Sequence, residues 1–428
     1  MISVAPGRTL GSRFRIEREV GRGGAGVVYR AEDERTGAPV ALKVVGSEAG
    51  VAPKEEARLM REGEVLQSLD HPGIVRVVAS GVLEETGQPY LAMEWLEGED
   101  LAARHRRSPL TFPQCIELGI FVAHALEAAH DAGIVHRDVK PSNIFMCDVK
   151  PERAEFLDAA PKLVDFGVAM SDDVRVTRSG DVVGTPAYMA PEQARGDAPI
   201  DARCDIYSLG ATLFELVANR PPHVGPTAIA TLARLVTTAP PRLRDLRRNV
   251  PPMLDNLVHR MLSTEVMDRP GSAQEVAETL QILIRQPGGS GTFELGEPVM
   301  SNRLGSSASR LVTSIVAIGF SNGSARDRAL EMLRQRADAV PLGHDSIVAH
   351  LGARFAVGTE ASVALDLGRR LARGGARVGV ASGRARVNTI GQTGEVQPVG
   401  EVVDRASALA RDATPGTVFA DATTSELG

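Results

Sequence analysis

Short blocks in one fixed order limit what this chain can fold into. Gly21-Arg22-Gly23-Gly24-Ala25-Gly26-Val27-Val28 precedes Val40-Ala41-Leu42-Lys43. His136-Arg137-Asp138-Val139-Lys140-Pro141-Ser142-Asn143 follows, and then Asp165-Phe166-Gly167, with Ala190-Pro191-Glu192 behind it. A glycine-rich turn alone is a weak signal, because dinucleotide-binding folds use similar spacing. Its succession by the later blocks over roughly 170 residues is a strong one. The chain holds only five lysines, Lys43, Lys54, Lys140, Lys150 and Lys162, among 48 lysines and arginines. Two of the five fall inside these blocks, where a compact ammonium is called for and a planar guanidinium does not serve.

With 428 residues, 43% of them apolar, the chain has room for two to three domains with sizeable cores. A formal net charge of −6 gives no global attraction to nucleic acid or to an anionic membrane, so neither is expected as a partner. The basic runs Arg104-His105-Arg106-Arg107 and Arg242 to Arg248 read as solvated faces. Cys115, Cys147 and Cys204 are too few and too far apart for a disulfide framework or a zinc site, and a reducing cytoplasm is the expected compartment. No apolar run approaches the ~20 residues that span a bilayer, and the N-terminus lacks the apolar core of a signal peptide.

After an N-terminal arm (1–13), residues 14 to about 100 read as strands around one helix. Arg15 to Arg30 and Pro39 to Val45 carry β-branched residues, and Lys54 to Leu69 shows helical spacing. Apolar residues recur at three and four positions in Pro113 to His130, Asp205 to Asn219, Thr227 to Thr237, Pro252 to Leu262 and Ala273 to Arg285, which predicts a helical second part. The first domain is therefore assigned to 14–285. The Pro-Gly-Gly-Ser-Gly and Gly-Ser-Ser-Ala-Ser stretches make 286–310 a flexible linker. In 311–428 a buried-type strand at Leu311 to Phe320, an amphipathic helix at Ala325 to Ala339, and strands at Ser346 to Leu351, Arg377 to Ala381 and Thr417 to Ala420 predict a smaller α/β domain.

In identity and order these blocks resemble the protein-kinase family. The resemblance implies an α+β fold of two lobes, a sheet-rich N-lobe to about residue 96 and a helical C-lobe from about 97. Phosphoryl transfer needs a triphosphate held, its charge neutralised and a hydroxyl aligned, and the resemblance supplies a residue for each need. Gly21, Arg22, Gly23, Gly24, Ala25, Gly26, Val27 and Val28 form the loop over the ATP phosphates, where missing β-carbons let amide donors approach. Lys43 reaches the α and β phosphates, with Glu62 as its carboxylate partner rather than the nearby Glu55, Glu56 or Glu64. Leu66 faces the core towards Phe166.

Asp138 orients the substrate hydroxyl and accepts its proton, while Asn143 and Asp165 offer hard oxygens to Mg2+. Lys140 contacts the transferring phosphate, and with Thr185 it marks the serine/threonine class of kinase. Met93 takes the gatekeeper position before the adenine-pairing segment Glu94-Trp95-Leu96; Val28 and Ala41 serve equally as adenine-facing residues or as core filler. Arg137 calls for a negative partner on the activation loop, so autophosphorylation of Thr177 or Ser179, with Ser171 as a rival, is the expected switch. Glu192 and Arg269 resemble a buried structural ion pair, and Asp205 a structural central-helix aspartate. Asn143 and Asp165 stand further apart than usual, and the polar insertion from Met146 to Lys162 is expected to form a longer surface hairpin.

Residues 311–428 resemble, more loosely, a class III nucleotide cyclase domain of ferredoxin-like α/β fold, through Ile318-Gly319-Phe320, Val378-Gly379-Val380-Ala381-Ser382-Gly383 and Val399 to Ala406. Cyclisation needs two metal-binding carboxylates, an asparagine and an arginine. Val316 stands where the first carboxylate belongs, Asp345 is the candidate second, and Asp404 and Ala408 replace the asparagine and arginine. The module is therefore expected to be non-catalytic, serving regulation or homodimer formation. Similar fusions continue into an ATPase and helical repeats, which makes a fragment of a longer protein or a truncated gene product the expected source of the chain.

An ATP- and Mg2+-dependent protein serine/threonine kinase acting on protein substrates is the leading expectation. A nucleotide-binding pseudokinase scaffold is the alternative, opposed by the full set Lys43, Glu62, Asp138, Lys140, Asn143 and Asp165. A working cyclase is opposed by Val316.

Overall fold

A computed structural model describes residues 4–23, 26–45, 63–149, 151, 154–166, 186–196, 199–285, 309–321, 323–342, 345–351, 360–390, 395–399 and 401–427. The first part runs through strands β1 (Thr9–Leu10), β2 (Phe14–Gly23), β3 (Gly26–Asp33), β4 (Ala38–Val45), β5 (Val77–Val82), β6 (Pro89–Glu94) and β7 (Gly98–Asp100). Helices α1 (Leu101–Arg107) and α2 (Phe112–Asp131), strands β8 (Ile144–Cys147) and β9 (Ala160–Leu163), and helices α3 (Pro191–Arg195), α4 (Arg203–Ala218), α5 (Ala228–Thr237), α6 (Leu243–Leu246), α7 (Pro252–Met261) and α8 (Ala273–Ile284) follow. The last part is β10 (Ser309–Ile318), α9 (Gly323–Arg334), β11 (Asp338–Leu342), β12 (Ser346–Leu351), α10 (Glu360–Arg373), β13 (Arg377–Ile390), β14 (Glu395–Val399), α11 (Glu401–Asp412), β15 (Val418–Ala420) and α12 (Ala422–Leu427).

These elements gather into two compact units. The first is drawn from the described residues of 1–171, 201–217 and 270–296, the second from those of 172–200, 218–269 and 297–428.

In the first unit a six-stranded sheet has the order β1-β2-β3-β4-β6-β5. Its outermost strand comes from the N-terminal arm, with Thr9 opposite Arg15. Along β3 and β4 the buried Val27, Tyr29, Ala31, Val40, Leu42 and Val44 alternate with half-buried Val28, Ala41 and Lys43. One face thus goes to the core with Phe14, Ile16 and Leu83, each buried aliphatic or aromatic contributing about 1.5–3 kcal/mol, and the other face stays open. Residues 63–68 are helical, the described end of the helix expected over Lys54 to Leu69, and Leu66 is buried there.

The helical part of this unit begins at Asp100, whose carboxylate accepts from Ala103 N at 2.8 Å and caps α1. The basic run Arg104 to Arg107 lies in the last turn of that helix, where positive charge complements the helix dipole. Gln114 reaches back to the Thr111 N–H (2.9 Å) to open α2, and Ser272 caps α8 through Glu275 N (3.2 Å). Helix α2 packs along α8.

In the second unit, residues 309–427 build β-α-β-β-α-β with the order β11-β12-β10-β13-β14 and β15 parallel to β13. Its first four strands pair antiparallel, the split arrangement of ferredoxin-like folds. Ile315, Ala317, Ile347, Ala349, Val378 and Val380 line one face under α9 and α10. Helix α11 lies against β10 and β13. A β-carbon on Gly379 would stand 2.0 Å from the Ala406 carbonyl oxygen, so only glycine lets α11 approach this closely.

Several expected boundaries move. Strand β10 starts at Ser309, and β13 runs on to Ile390 rather than ending near Ala381. The helix expected over Ala325 to Ala339 stops at Arg334: Ala337 N donates to Leu333 O at 2.8 Å, and β11 begins at Asp338. Ala337 and Ala339 extend the helical spacing in sequence, yet Ala339 belongs to a strand. The basic run Arg242 to Arg248 is a solvated face only in part: Arg244 and Arg248 are exposed, but Arg247 is buried and Arg242 pairs with Asp255 at 2.7 Å. Residues 286–308 of the expected linker lie outside the described residues.

Candidate functional site

Lys43 projects from the open face of the N-terminal sheet, opposite Val28 on β3 and Leu91 on β6. Ala41 stands opposite the buried Met93, so Val28, Ala41, Lys43 and Met93 share this face. Gly21 has open space where a β-carbon would be. Gly26 has a structural duty that its place in the glycine-rich block does not reveal. Its φ is +143°, and a β-carbon there would lie 2.1 Å from the Val44 carbonyl oxygen, so sheet closure itself demands glycine. Gly24 and Ala25 lie outside the described residues. After Glu94 the Trp95 ring turns under the Arg30 guanidinium (4.8 Å to the centroid) and donates to Glu97 (2.8 Å).

The loop carrying Asp138 is held from beneath by Asp205. This fully buried carboxylate accepts the Arg137 N–H on Oδ1 (2.7 Å), and the His136 N–H (2.8 Å) and His130 Nε2 (2.8 Å) on Oδ2. Arg137 has φ +65°, a left-handed conformation that a non-glycine residue keeps only when its surroundings impose it. Burial works to raise the Asp205 carboxyl, but the His130 hydrogen bond, nearby imidazole charge and the His136 N–H outweigh it and hold the carboxyl below its usual range. Burial pushes the His136 imidazole down, and its Nε2 faces the Val164 carbonyl oxygen at 3.1 Å.

Asp205→Asn is expected to lower stability by about 1–3 kcal/mol, because an amide nitrogen must then face a backbone N–H. The sign with pH follows from the depressed carboxyl. Its contribution is complete above the ordinary value of 3.8 and disappears as pH falls through the lower folded-state value. Melting curves of wild type and Asp205→Asn should therefore be separated at neutral pH and draw together in acid; a separation independent of pH would refute this assignment.

Lys140, Asn143 and Asp138 meet at one oxygen. Lys140 Nζ donates to Asp138 Oδ2 at 2.7 Å and Asn143 Nδ2 to the same atom at 2.9 Å, while Oδ1 accepts no hydrogen bond from the described residues. The 3-10 turn Pro141–Asn143 brings Asn143 back towards Asp138, whose carbonyl oxygen also takes Asn143 Nδ2 (2.8 Å). Across the cleft of this same unit, Lys43 Nζ donates to Asp165 Oδ1 at 2.9 Å. Asp165 has φ +56°, and Phe166 is buried with its ring 4.5 Å from that of His136.

The donor set fits a hard cation. Asn143 spends its amide nitrogen on Asp138, which leaves its carbonyl oxygen as a ligand, and the Asp165 carboxylate is 41% exposed. Among the described residues no group of three or more His, Cys, Asp or Glu side chains gathers to hold a metal. A Mg2+ ion here would be shared by Asn143, Asp165 and nucleotide oxygens.

Glu62, the expected partner of Lys43, lies outside the described residues, as do Gly167, Ser171, Thr177, Ser179 and Thr185. Two contacts had no signal in the spacing of motifs. Lys162 on β9 pairs with Glu94 at the end of β6 (2.6 Å), tying the segment before Asp165 to the one after Met93. Buried Glu117 on α2 accepts three successive backbone N–H groups, from Glu155, Phe156 and Leu157, at 2.6–2.8 Å. The insertion does form a hairpin, β8 with β9, but its tip is fastened to α2 and Leu157 is buried there.

In the second unit Glu192 and Arg269 form a buried bidentate pair at 2.6 and 2.7 Å. Val316 is fully buried in β10, while the Asp345 backbone carbonyl takes the Gly319 and Phe320 N–H groups and its side chain takes Ser346 Oγ. Asp404 is engaged by Arg234 of α5.

Comparison with known proteins adds relatives to this geometry. The sequence profile described as "Protein kinase domain" matches residues 14–280. The DNA damage-responsive serine/threonine-protein kinase RqkA of Deinococcus radiodurans is 36% identical over 281 residues, 64% of this chain and 40% of that protein. The serine/threonine-protein kinase PknB of Mycobacterium leprae is 33% identical over 284 residues, 65% of this chain and 44% of that protein. This chain thus spans about two fifths of the length of such curated relatives. Among solved structures, the PknI kinase domain of Mycobacterium tuberculosis superposes with a TM-score of 0.52 at 29% identity, covering 66% of this chain and 99% of that one. None of the described helices is long and apolar enough to cross a membrane.

Proposed function

The chain belongs to the protein kinase family, and from that premise we propose that it transfers the γ-phosphate of ATP to serine and threonine hydroxyls of proteins. The observation that supports this best is the state of Asp138. One carboxylate oxygen is fixed by Lys140 and Asn143, and the other is left to a hydroxyl. A carboxylate so oriented can align a nucleophile and take its proton, and Lys140 beside it can meet the charge on the moving phosphoryl group. Lys43 presents an ammonium to the nucleotide phosphates, and Met93 followed by Glu94, Trp95 and Leu96 offers backbone groups to adenine. Mg2+, held at Asn143 and Asp165, would neutralise the phosphate oxygens. The serine/threonine class also draws on the names of the relatives.

The same reading covers the rest of the chain. Residues 14–285 are the catalytic domain, 286–310 a linker, and 311–428 a degenerate cyclase-like module without catalysis, with Val316 in place of a metal carboxylate. Autophosphorylation of Thr177 or Ser179, paired with Arg137, is the proposed switch, in a cytoplasmic protein able to form homodimers.

The test is transfer of labelled γ-phosphate from Mg-ATP with phosphosites mapped by mass spectrometry. Label on serine and threonine, Thr177 or Ser179 among them, is expected. A folded chain that binds ATP and transfers no label would instead favour a pseudokinase scaffold, or a kinase awaiting an activator through its second module.

A further inference from the structure

We propose that the C-terminal module is a brake on the helices that follow the activation segment, latched there by Arg234 and Asp404. The inference rests on the kinase reading and adds a regulator to it. All of its contacts lie within the second unit. Helix α5 packs against α11, β11 and β14, and α3 against β11. Arg234 of α5 donates through Nη2 to Asp404 Oδ2 on α11, and through Nη1 to the Val224 carbonyl oxygen. A second contact runs the other way, from Arg326 of α9 to the Arg195 carbonyl oxygen at the end of α3 (3.5 Å).

The place matters because α3 directly follows Ala190, and α5 also packs on the Pro186–Tyr188 turn. The module therefore covers the elements in which the segment between Asp165 and Glu192 ends. A protein substrate approaching those helices has to displace it.

The latch is built firmly on one side and loosely at its centre. Gly379 lets α11 lie so close to β13 that Asp404 is carried at a fixed height above the sheet. Asp404 is 9% exposed, yet its Oδ1 and Arg234 Nε have no hydrogen-bond partner among the described residues. Burial raises the Asp404 carboxyl, Arg234 opposes that, and Glu401 adds to it. A part-buried ion pair with unmet hydrogen-bonding capacity contributes little net stability. Such a contact holds while nothing competes and opens when a partner does. An aspartate that spoils a cyclase site thereby acquires a use.

The test uses the full chain with Arg234→Cys and Asp404→Cys joined by a short bismaleimide; the native Cys115, Cys147 and Cys204 are buried and compete poorly for the reagent. Crosslinking is expected in high yield. The crosslinked chain should phosphorylate myelin basic protein about 5-fold or more slowly than the uncrosslinked double variant, with nucleotide binding unchanged. Asp404→Arg alone should release the brake, and the swap Arg234→Asp with Asp404→Arg should restore it. No crosslink, or equal rates before and after crosslinking, would overturn the brake and leave the kinase reading standing. If neither form transfers phosphate although the crosslink forms, the kinase reading fails and the brake with it.

Discussion

Asp138→Asn is expected to slow phosphoryl transfer by about 10²–10⁴-fold, the range of a general base, with nucleotide affinity and melting temperature near wild type. The substitution is nearly isosteric and keeps one oxygen for Lys140 and Asn143, which now share Asp138 Oδ2 at 2.7 and 2.9 Å. What it removes is the negative charge and the basic oxygen, so the substrate hydroxyl loses its proton acceptor and Lys140 its counter-charge. The defect should therefore appear equally in kcat and kcat/KM, the mark of an interaction made in the transition state. Steady-state transfer with ATP and protein substrate varied in turn decides this. A loss smaller than about tenfold would remove Asp138 from the role of base.

Arg269→Ala should have the largest effect on stability, about 3–5 kcal/mol, because it strands the Glu192 carboxylate in the interior. Total stabilities of about 5–15 kcal/mol leave little room for such a loss. Arg269 gives both terminal nitrogens to Glu192, at 2.6 and 2.7 Å, and Nε to the Ser263 carbonyl oxygen at 2.9 Å. Arg269→Lys should recover only part of the loss, since one ammonium cannot copy a planar fork. Urea denaturation of the three chains is the measurement. A fall below about 1 kcal/mol for Arg269→Ala would place the pair with the exposed ion pairs that contribute almost nothing.

How much of this was legible in the sequence depends on how far apart the interacting residues lie. Asp138, Lys140 and Asn143 sit within one short block, and their order alone suggests a shared site. The partner of Lys43 in the structure, Asp165, lies 122 positions away and belongs to a different block. The family resemblance pointed to Glu62, which lies outside the described residues. Asp205 was read as structural, which fits its burial, but only the fold shows that it fixes the Arg137 backbone. Lys162 with Glu94 and Glu117 with the insertion carry no pattern, because one buried carboxylate meeting backbone N–H groups leaves no periodic trace. In the C-terminal module β10, β12, β13 and β15 show in the sequence as apolar runs, while β11, β14 and helices α10 and α11 carry no such signal. The helical spacing from Ala325 runs past the true end at Arg334 because alanines suit helix and strand alike. Asp404 was visible only as a missing asparagine, and its arginine lies on another part of the chain.

Trp95 is the single tryptophan of this chain, and it stands two residues after Met93 with its indole under Arg30. Indole emission responds to nearby charge and to water. Every ultraviolet-excited tryptophan photon from this chain therefore comes from the end of β6, the segment proposed to receive adenine. On that proposal the chain carries its own optical reporter of nucleotide occupancy, with no dye to attach.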